Sequence, residues 1–271
     1  MIVDYHMHLR NSAEEVDHTV DAVERFVEVA SDRGVDEIGF SEHMYYFVPT
    51  RPLWTQPYQT DRCVYELESY VAAIVAAKER GLPVKLGLEV DYVPDREAET
   101  SDVLAPYPWD YLLGSIHYVD GLGIDAEPTL ADRVGVARAW ERYFEVLAAA
   151  AKSGLFDSLS HPDLVKIFGR RPPREIEERL HEQVADGLAD HGVAVEVSSA
   201  GLRKPVGELY PDPHLLAECR ARGVPITLAS DAHVPQLVGD ALGAAVELAR
   251  AAGYDTVTVF EQRQARQEPL G

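Results

Sequence analysis

Cysteine is scarce in this sequence. Two cysteines, Cys63 and Cys219, occur among its 271 residues, and they form no CxxC pair. This scarcity argues against a disulfide framework and against a zinc site built from thiolates. We therefore expect any metal ion to be held by nitrogen and oxygen ligands.

Long apolar runs are also missing. No stretch approaches the roughly 20 apolar residues that a transmembrane helix needs. The sequence runs from Met1 directly into Ile2–Tyr5, without the basic segment and apolar core of a signal peptide. We therefore predict a cytoplasmic protein without a membrane partner.

Basic residues are few. The sequence has 25 Lys and Arg against 46 Asp and Glu, which gives a formal net charge of −21. A field of this sign repels nucleic-acid backbones, so we expect no long nucleic acid as a partner. It also opposes a small phosphorylated substrate unless metal ions or a few arginines neutralise the site locally. The composition does not indicate an oligomeric state.

Short β-rich runs alternate with longer helical patterns along the chain. Apolar residues at three- and four-residue spacing, as in Val20, Val23 and Val27, indicate helices, and a glycine follows each helix where a C-cap belongs. This alternation is typical of parallel βαβ units, and seven or eight units predict an α/β barrel in one domain over residues 1–271. The predicted strands are Ile2–Tyr5, Glu37–Phe40, Val84–Leu88, Tyr111–Ser115, Ser158–Ser160, Val193–Val197, Ile226–Ala229 and a weaker Thr256–Phe260. The predicted helices are Val20–Arg33, Tyr65–Arg80, Asp132–Ser153, Arg174–His191, Pro213–Arg222 and Pro235–Ala252. The Pro-rich stretch Val48–Tyr58 is predicted to be a long loop, a lid over one end of the barrel.

Metal-capable side chains follow most of these strands. The carboxyl ends of parallel strands meet at one edge of a β/α fold, where active sites form. In an extended segment His6 and His8 point the same way, so they can chelate one ion, and Asp231 and His233 share this spacing. A carboxylate such as Glu89 can bridge two ions. The strand-end segments are His6-Met7-His8, Ser41-Glu42-His43, Glu89-Val90-Asp91, Ser115-Ile116-His117, His161-Pro162-Asp163 and Ser230-Asp231-Ala232-His233.

The mixture of imidazole and carboxylate groups suits zinc, iron or manganese. A single histidine at a strand end is more often a hydrogen-bonded structural residue. So many polar groups at one edge, however, would need partners that a metal cluster supplies. The sequence therefore predicts a metal cluster at the carboxyl edge of the barrel.

These motifs, in this order from Ile2 to His233, resemble the PHP (polymerase and histidinol phosphatase) family. The resemblance implies a distorted (β/α)7-type barrel with two or three divalent metal ions, Zn, Mn or Fe, at the C-terminal edge of the strands. Within the family, the size, the segment Gly114–Gly121 and the segment Ala200–Pro205 are most similar to the monofunctional histidinol-phosphatases of histidine biosynthesis. The implied activity is metal-dependent hydrolysis of L-histidinol phosphate.

The resemblance also implies a distribution of ligands. The loop after His6-Met7-His8 departs from the family, which often has a Cys-x-His motif there. For a third metal site, the candidate ligand from this loop is therefore His18, with Asp17, Glu14 or Glu15 as alternatives. By position, the first metal would be held by His6, His8, Glu89 and Asp231, the second by Glu89, His117 and His161, and the third by His43, His233 and the first-loop ligand.

A hydroxide bridging two metals is the expected nucleophile, because a bound divalent ion lowers the pKa of its water to about 7. Arg203 and Lys204, just past the sixth strand, are the predicted phosphate contacts: Arg203 suits a bidentate grip and Lys204 a point charge. The leaving group would be protonated by Asp231, His233 or a metal-bound water. Further candidates are Lys166, Arg170, Arg171 and Arg10 for the phosphate, and Asp91 as a residue that orients a ligand histidine.

Three alternatives remain open from the sequence. The first is a phosphoesterase of the same family that acts on another phosphomonoester or a short nucleotide, and the second is a non-catalytic metal-binding barrel. The third is an amidohydrolase-like hydrolase, which normally has a metal-bridging lysine after a middle strand. Lys85 lies inside a predicted strand and does not suit that role.

Overall fold

The computed structural model describes residues 1–12 and 15–271, and its centre is a seven-stranded parallel sheet over those residues. The sheet order is β1-β2-β3-β4-β7-β8-β9, and each pair of neighbours is parallel. The strands are β1 (Val3–Asp4), β2 (Glu37–Phe40), β3 (Val84–Asp91), β4 (Tyr111–Ser115), β5 (Tyr118–Val119), β6 (Leu122–Gly123), β7 (Ser158–Leu159), β8 (Ala194–Ser198), β9 (Ile226–Ala229), β10 (Thr256–Glu261) and β11 (Gln264–Pro269).

The sheet closes on itself between its first and last strands. The N–H of Tyr5 donates to the carbonyl of Leu228 at 3.0 Å, and the N–H of His8 donates to the carbonyl of Ala232 at 2.8 Å. These bonds extend the pairing past the ends of β1 and β9. The predicted (β/α)7-type barrel is therefore confirmed, and the eighth predicted strand, β10, lies outside the barrel in an antiparallel hairpin with β11.

Helices connect the strands over the outside of the barrel. Thr19 caps the first helix by accepting a hydrogen bond from the N–H of Ala22 at 3.2 Å. The helices are α1 (Val20–Asp32), α2 (Pro57–Thr60), α3 (Leu67–Glu79), α4 (Glu97–Leu104), α5 (Thr129–Val134), α6 (Val136–Lys152), α7 (Arg174–His191), α8 (Pro213–Ala221) and α9 (Leu242–Ala251). None of the helices within the described parts of the chain has the length and apolar character needed to cross a membrane.

Two predicted helices differ from the observed ones. The prediction of one helix over Asp132–Ser153 is wrong at Gly135, whose φ of 84° interrupts the chain between α5 and α6. The helix predicted from Pro235 begins at Leu242, because the preceding residues form a short 3-10 turn over Pro235–Leu237. Local periodicity identified both helices but not these breaks.

Aromatic side chains fill the barrel below its carboxyl edge. The ring of Tyr111 stacks against Tyr5 and Phe260, with centroids 5.2 and 5.8 Å away, and all three residues are buried. A Cβ added to Gly39 or to Gly87 would lie 2.3 Å from the Tyr111 side chain. Glycine at these two positions therefore makes room for the Tyr111 ring, which supports the polar side chains at the strand ends.

The stretch Val48–Tyr58 is more ordered than predicted. Val48–Leu53 forms a 3-10 helix and Pro57 begins α2, so the prediction of a long irregular loop is wrong there. Trp54 is buried, and its indole N–H donates to Thr50 Oγ1 at 2.8 Å. Trp54 is thus a packing residue.

Candidate metal centre

Imidazole groups from several strand ends surround the carboxylate of Glu89 on β3. Oε1 of Glu89 lies 3.3 Å from His6 Nε2, 3.2 Å from His161 Nε2 and 3.5 Å from His117 Nε2. Its other oxygen, Oε2, lies 2.7 Å from His43 Nδ1. Eight predicted ligands meet in this region, since each lies near or just after the carboxyl end of a barrel strand: His6, His8, His43, Glu89, His117, His161, Asp231 and His233.

Four groups of these side chains have ligand atoms within 4.8 Å of one another. They match the expected distribution in part: Glu89 belongs to two groups, as a bridging carboxylate would, but His117 and His161, expected at one ion, fall into different groups. The third expected site differs, because His8 accompanies His43 and His233 in place of a first-loop residue. The groups are His6-His8-Asp231, His6-Glu89-His161, His43-Glu89-His117 and His8-His43-His233.

The donor atoms fit divalent metal ions. His6 Nε2, His8 Nε2, His43 Nδ1 and Glu89 Oε2 are buried and form no hydrogen bond of acceptable geometry with the described residues. An unsatisfied buried polar atom costs about 1–3 kcal/mol, so four together at one place would be expensive without ligation. Nitrogen and carboxylate oxygen donors are those that zinc, manganese and iron bind.

Buried carboxylates hold the rings in a ligating orientation. His6 Nδ1 lies 2.7 Å from Glu196 Oε2, and His8 Nδ1 lies 3.1 Å from Glu42 Oε1. With Nδ1 engaged in this way, Nε2 of each ring faces the centre. Glu196 and Glu42 were missed from the sequence. Glu196 could have been found as a carboxylate inside the buried strand Ala194–Ser198, where a charge needs a partner.

Asp91 performs the same task for a third ring. Its Oδ1 lies 2.7 Å from His117 Nδ1, while His117 Nε2 faces Glu89. This geometry agrees with the interpretation of Asp91 as an orienting residue. Gln59 in turn donates to Asp91 Oδ2 at 3.3 Å, which links the Pro-rich segment to the centre.

The electrostatics of the centre favour an ionised Glu89. Burial would raise the pKa of this carboxyl, but the neighbouring His6 and His117 hold it well below its usual range. Burial and the neighbouring His8 lower the pKa of His43, so this ring stays neutral. A carboxylate and a neutral imidazole are the protonation states that ligate metal ions.

Two of the ligand candidates have unusual backbone angles. His161 has a φ of 26° and Asp231 a φ of 52°, both in the left-handed region that non-glycine residues rarely adopt. The first is held by the donation of its N–H to Glu196 Oε1 at 3.2 Å. The second is held by Arg203, which donates to the Asp231 carbonyl at 3.2 Å. Such angles occur where the surroundings fix a residue for function.

The first loop does not contribute a ligand among its described residues. His18 lies 3.7 Å from Glu42 Oε2 and packs beside Phe47, outside the four ligand groups. Asp17 accepts hydrogen bonds from Thr19 and Asn11 at the surface. The structure therefore does not support His18 as a metal ligand. Of the alternatives, Glu15 is exposed and Asp17 is bonded elsewhere, whereas Glu14 lies outside the described residues.

A cavity of about 300 Å³ opens above the centre. Arg10 and Lys204 line it together with His233. Arg203 does not line it, since its guanidinium donates to the carbonyl of Ser230 at 2.5 Å and pairs with Asp240 at 3.1 Å. This position corrects the expected role of Arg203 as a phosphate contact.

The other predicted cations lie away from the cavity. Lys166 is fully buried, and its Nζ donates to Asp163 Oδ2 and to the Leu209 carbonyl at 2.9 and 2.7 Å. Arg170 and Arg171 form ion pairs with carboxylates outside the cavity.

Lys85 of β3 bonds Glu261 and lies 3.5 Å from Glu37, at the opposite end of the strand from Glu89. It is therefore not a metal-bridging lysine, which removes the ground for the amidohydrolase hypothesis.

Comparison with known proteins gives concordant matches. A family model described as the PHP domain matches residues 4–200. A Deinococcus radiodurans protein named "Probable histidinol-phosphatase" is 34% identical over 252 residues, which cover 91% of this chain and 93% of the relative. The histidinol-phosphatase of Bacillus subtilis is 28% identical over 253 residues, covering 84% and 92%. The Lactococcus lactis histidinol phosphate phosphatase HisK, crystallised with zinc, L-histidinol and phosphate, covers 98% of both chains with a TM-score of 0.76 at 19% identity. That structure shares the barrel fold.

Proposed function

This chain belongs to the PHP domain family, and from that premise we propose that it hydrolyses L-histidinol phosphate to L-histidinol and inorganic phosphate. It is a metal-dependent phosphatase. The observation that carries the proposal is the convergence of four histidines on both oxygens of Glu89 beneath an open cavity. The names of the relatives and the ligands of the Lactococcus lactis structure support the substrate.

We propose two divalent ions per chain, with zinc, manganese and iron as candidates. His8 has one free ring nitrogen, because its Nδ1 faces Glu42, and that nitrogen can serve only one ion. A third ion at His43 and His233 would compete with the first for His8. The first ion would be held by His6, His8, Glu89 and Asp231, and the second by Glu89, His117 and His161.

Divalent ions bound here would supply a nucleophile by lowering the pKa of a water and would offset charge on the phosphoryl oxygens. The side chains of the protein do the positioning. Lys204 and Arg10 line the cavity as cations and would attract the phosphate by charge. Asp231 and His233 line the same wall, and we propose that one of them passes to the leaving alkoxide a proton that it takes up from the attacking water.

Tyr210 is a further substrate contact that the sequence did not indicate. Its side chain lines the cavity, and its buried hydroxyl has no hydrogen-bond partner in the part of the chain that the structure describes. A hydroxyl in this position would donate to an oxygen of the bound ester. The bond would recover the cost of leaving the group unsatisfied in the free enzyme.

The test is phosphate release from L-histidinol phosphate, compared with a panel of other phosphomonoesters and a short oligonucleotide. Enzyme loaded with Zn, Mn or Fe is compared with the Glu89→Gln variant, and metal content is measured in both. A strong preference for L-histidinol phosphate, lost in the variant together with bound metal, is expected. The control is Glu99→Gln, which removes an exposed carboxylate that pairs with Arg96. This variant should retain full activity.

Two other results would replace the proposal. Turnover of other phosphomonoesters or of the oligonucleotide, but not of L-histidinol phosphate, would indicate a phosphoesterase with another substrate. Full metal occupancy without turnover of any ester would indicate a non-catalytic metal-binding barrel. The proposed setting is the cytoplasm, with a small phosphorylated molecule as the partner and no long nucleic acid.

A further inference from the structure

The charges on the cavity wall are separated in space. Apart from the ligand candidates, the charged side chains among the described lining residues are Arg10, Lys204 and Asp125. Arg10 follows β1, Lys204 follows β8, and Asp125 follows the β5–β6 hairpin after β4. The two cations and the one carboxylate therefore come from different parts of the barrel.

The order of the strands places Asp125 across the cavity from the cations. In the closed ring, β4 is three strands from β1 through β2 and β3, and three strands from β9 through β7 and β8. The side of β4 is thus opposite the junction of β1 and β9, beside which Arg10 and Asp231 lie. Lys204 belongs to that second side, because it follows β8, the neighbour of β9 in the ring, and lines the cavity.

The position of Asp125 is fixed by the backbone before it. The N–H of Ile124 donates to the carbonyl of His117 at 2.8 Å, and Tyr118 pairs with Gly123 in the β5–β6 hairpin. These bonds tie the residue before Asp125 to the ligand His117. The carboxylate of Asp125 is exposed to solvent at the rim of the cavity, so a bound molecule can reach it.

Aromatic rings line the same cavity as this carboxylate. Tyr45, Tyr58 and Tyr118 line the same cavity. Ring faces next to a carboxylate suit a flat or cationic group, because the ring quadrupole attracts positive charge. One face of Tyr58 already carries the Arg62 guanidinium, 3.6 Å from the ring centroid, and the ring of Tyr45 stacks on His43 with centroids 4.7 Å apart. Of these three rings, Tyr118 is therefore the one left for a ligand.

We propose that Asp125 determines substrate specificity by selecting phosphomonoesters whose alcohol carries a positive charge. The phosphate lies towards Lys204, Arg10 and the metal ligands, and the cationic end of the alcohol lies towards Asp125. This inference rests on the proposed phosphatase function and adds the residue that recognises the end of the substrate remote from phosphorus. It also explains how a protein with a net charge of −21 attracts an anionic ester, since the other end of that ester is cationic.

The experiment compares pairs of esters that differ in one charge. The pairs are L-histidinol phosphate with its N-acetyl derivative, and phosphoethanolamine with ethyl phosphate. Each kcat/KM is measured for the wild type, Asp125→Asn and Glu127→Gln. Glu127 is an exposed carboxylate two residues further along the chain that does not line this cavity, so it is a matched control for loss of one charge.

We expect Asp125→Asn to lower kcat/KM for the ester with the cationic alcohol in each pair about two- to fivefold, the range of an exposed ion pair. The kcat/KM of the ester with the uncharged group should change little in Asp125→Asn. The Glu127→Gln variant should leave kcat/KM unchanged for both esters of each pair. Added salt should reduce the preference of the wild type but not that of the variant, because salt screens an exposed charge pair.

An equal fall in kcat/KM for both esters of a pair in Asp125→Asn would overturn the inference, since it would indicate a structural role for Asp125. The same shift in Glu127→Gln, or no shift in either variant, would overturn it as well. A wild type that rejects L-histidinol phosphate but prefers phosphoethanolamine to ethyl phosphate through Asp125 would refute the proposed substrate and keep the inference.

Discussion

His6 and Glu196 form a buried pair in which the Nδ1 atom of the ring lies 2.7 Å from Oε2 of the carboxylate, with both residues fully excluded from solvent. Glu196 Oε1 also accepts the N–H of His161 at 3.2 Å. The carboxylate of Glu196 thus orients the ring of His6, which follows β1, and fixes the backbone of His161, which follows β7. Glu196 touches the ligands rather than the cavity, so it is a positioning residue.

The Glu196→Gln variant should therefore bind metal more weakly while keeping its fold. Loss of such an orienting carboxylate typically costs about 10–100-fold in metal affinity. The measurement is a chelator competition followed by metal analysis, with circular dichroism to confirm folding. Glu182→Gln, on the outer side of α7, is the control, and an unchanged metal affinity in Glu196→Gln would contradict the assigned role.

Removal of the Tyr210 hydroxyl should affect turnover without harming stability. Tyr210→Phe keeps the buried ring and deletes a hydroxyl that has no hydrogen-bond partner among residues 1–12 and 15–271. We expect a fall of about 10–100-fold in kcat/KM, the range of a hydrogen bond to a charged group, and an unchanged or slightly raised free energy of unfolding. If steady-state kinetics of the variant match those of the wild type, the hydroxyl does not contact the substrate.

A methyl group at Gly87 should destabilise the barrel. Its Cβ would lie 2.3 Å from the Tyr111 ring, inside the packed core, so Gly87→Ala should lower the free energy of unfolding by about 1–3 kcal/mol or more. Urea unfolding measures the change. Gly187→Ala in α7, where a Cβ meets no atom within 4 Å, is the matched control and should stabilise the protein by roughly 0.5–1 kcal/mol.

His181 should make stability depend on pH below neutrality. Burial lowers the pKa of this histidine to about 4 from 6.5, although Asp163 and Asp212 oppose the shift. Between these two values the unfolded chain binds a proton that the folded protein does not, so stability increases with pH and is lost as pH falls from 6.5 towards 4.

The size of that loss is on the order of 2 kcal/mol for one buried histidine with such a shift. It is measured as the difference in unfolding free energy between pH 7 and pH 5 for the wild type and for His181→Gln. The variant should show the weaker pH dependence, and His191→Gln, at an exposed histidine of the same helix, should resemble the wild type. Parallel pH profiles for all three proteins would refute this prediction.

The sequence by itself determined the elements of the barrel and the chemical nature of the centre. Alternating periodicity is a local property, so β2, β4 and β9 were predicted with the bounds that the structure has. Parallel strands meet with their carboxyl ends at one edge, and this rule was enough to bring His6, Glu89 and other strand-end residues together before any distance was known.

Only the tertiary structure decided what each side chain contacts. The pairing of His6 with Glu196 joins residues 190 positions apart, and the location of Arg203 depends on the carbonyls of Ser230 and Asp231. Asp125, Arg10 and Lys204 line one cavity because a seven-stranded ring closes, which no local pattern specifies. The sequence specifies the residue types. The orientation of the side chains and the separation of their charges arise from contacts between segments that are distant in sequence. For this reason the ligands were predictable and the residues that orient them and select the substrate were not.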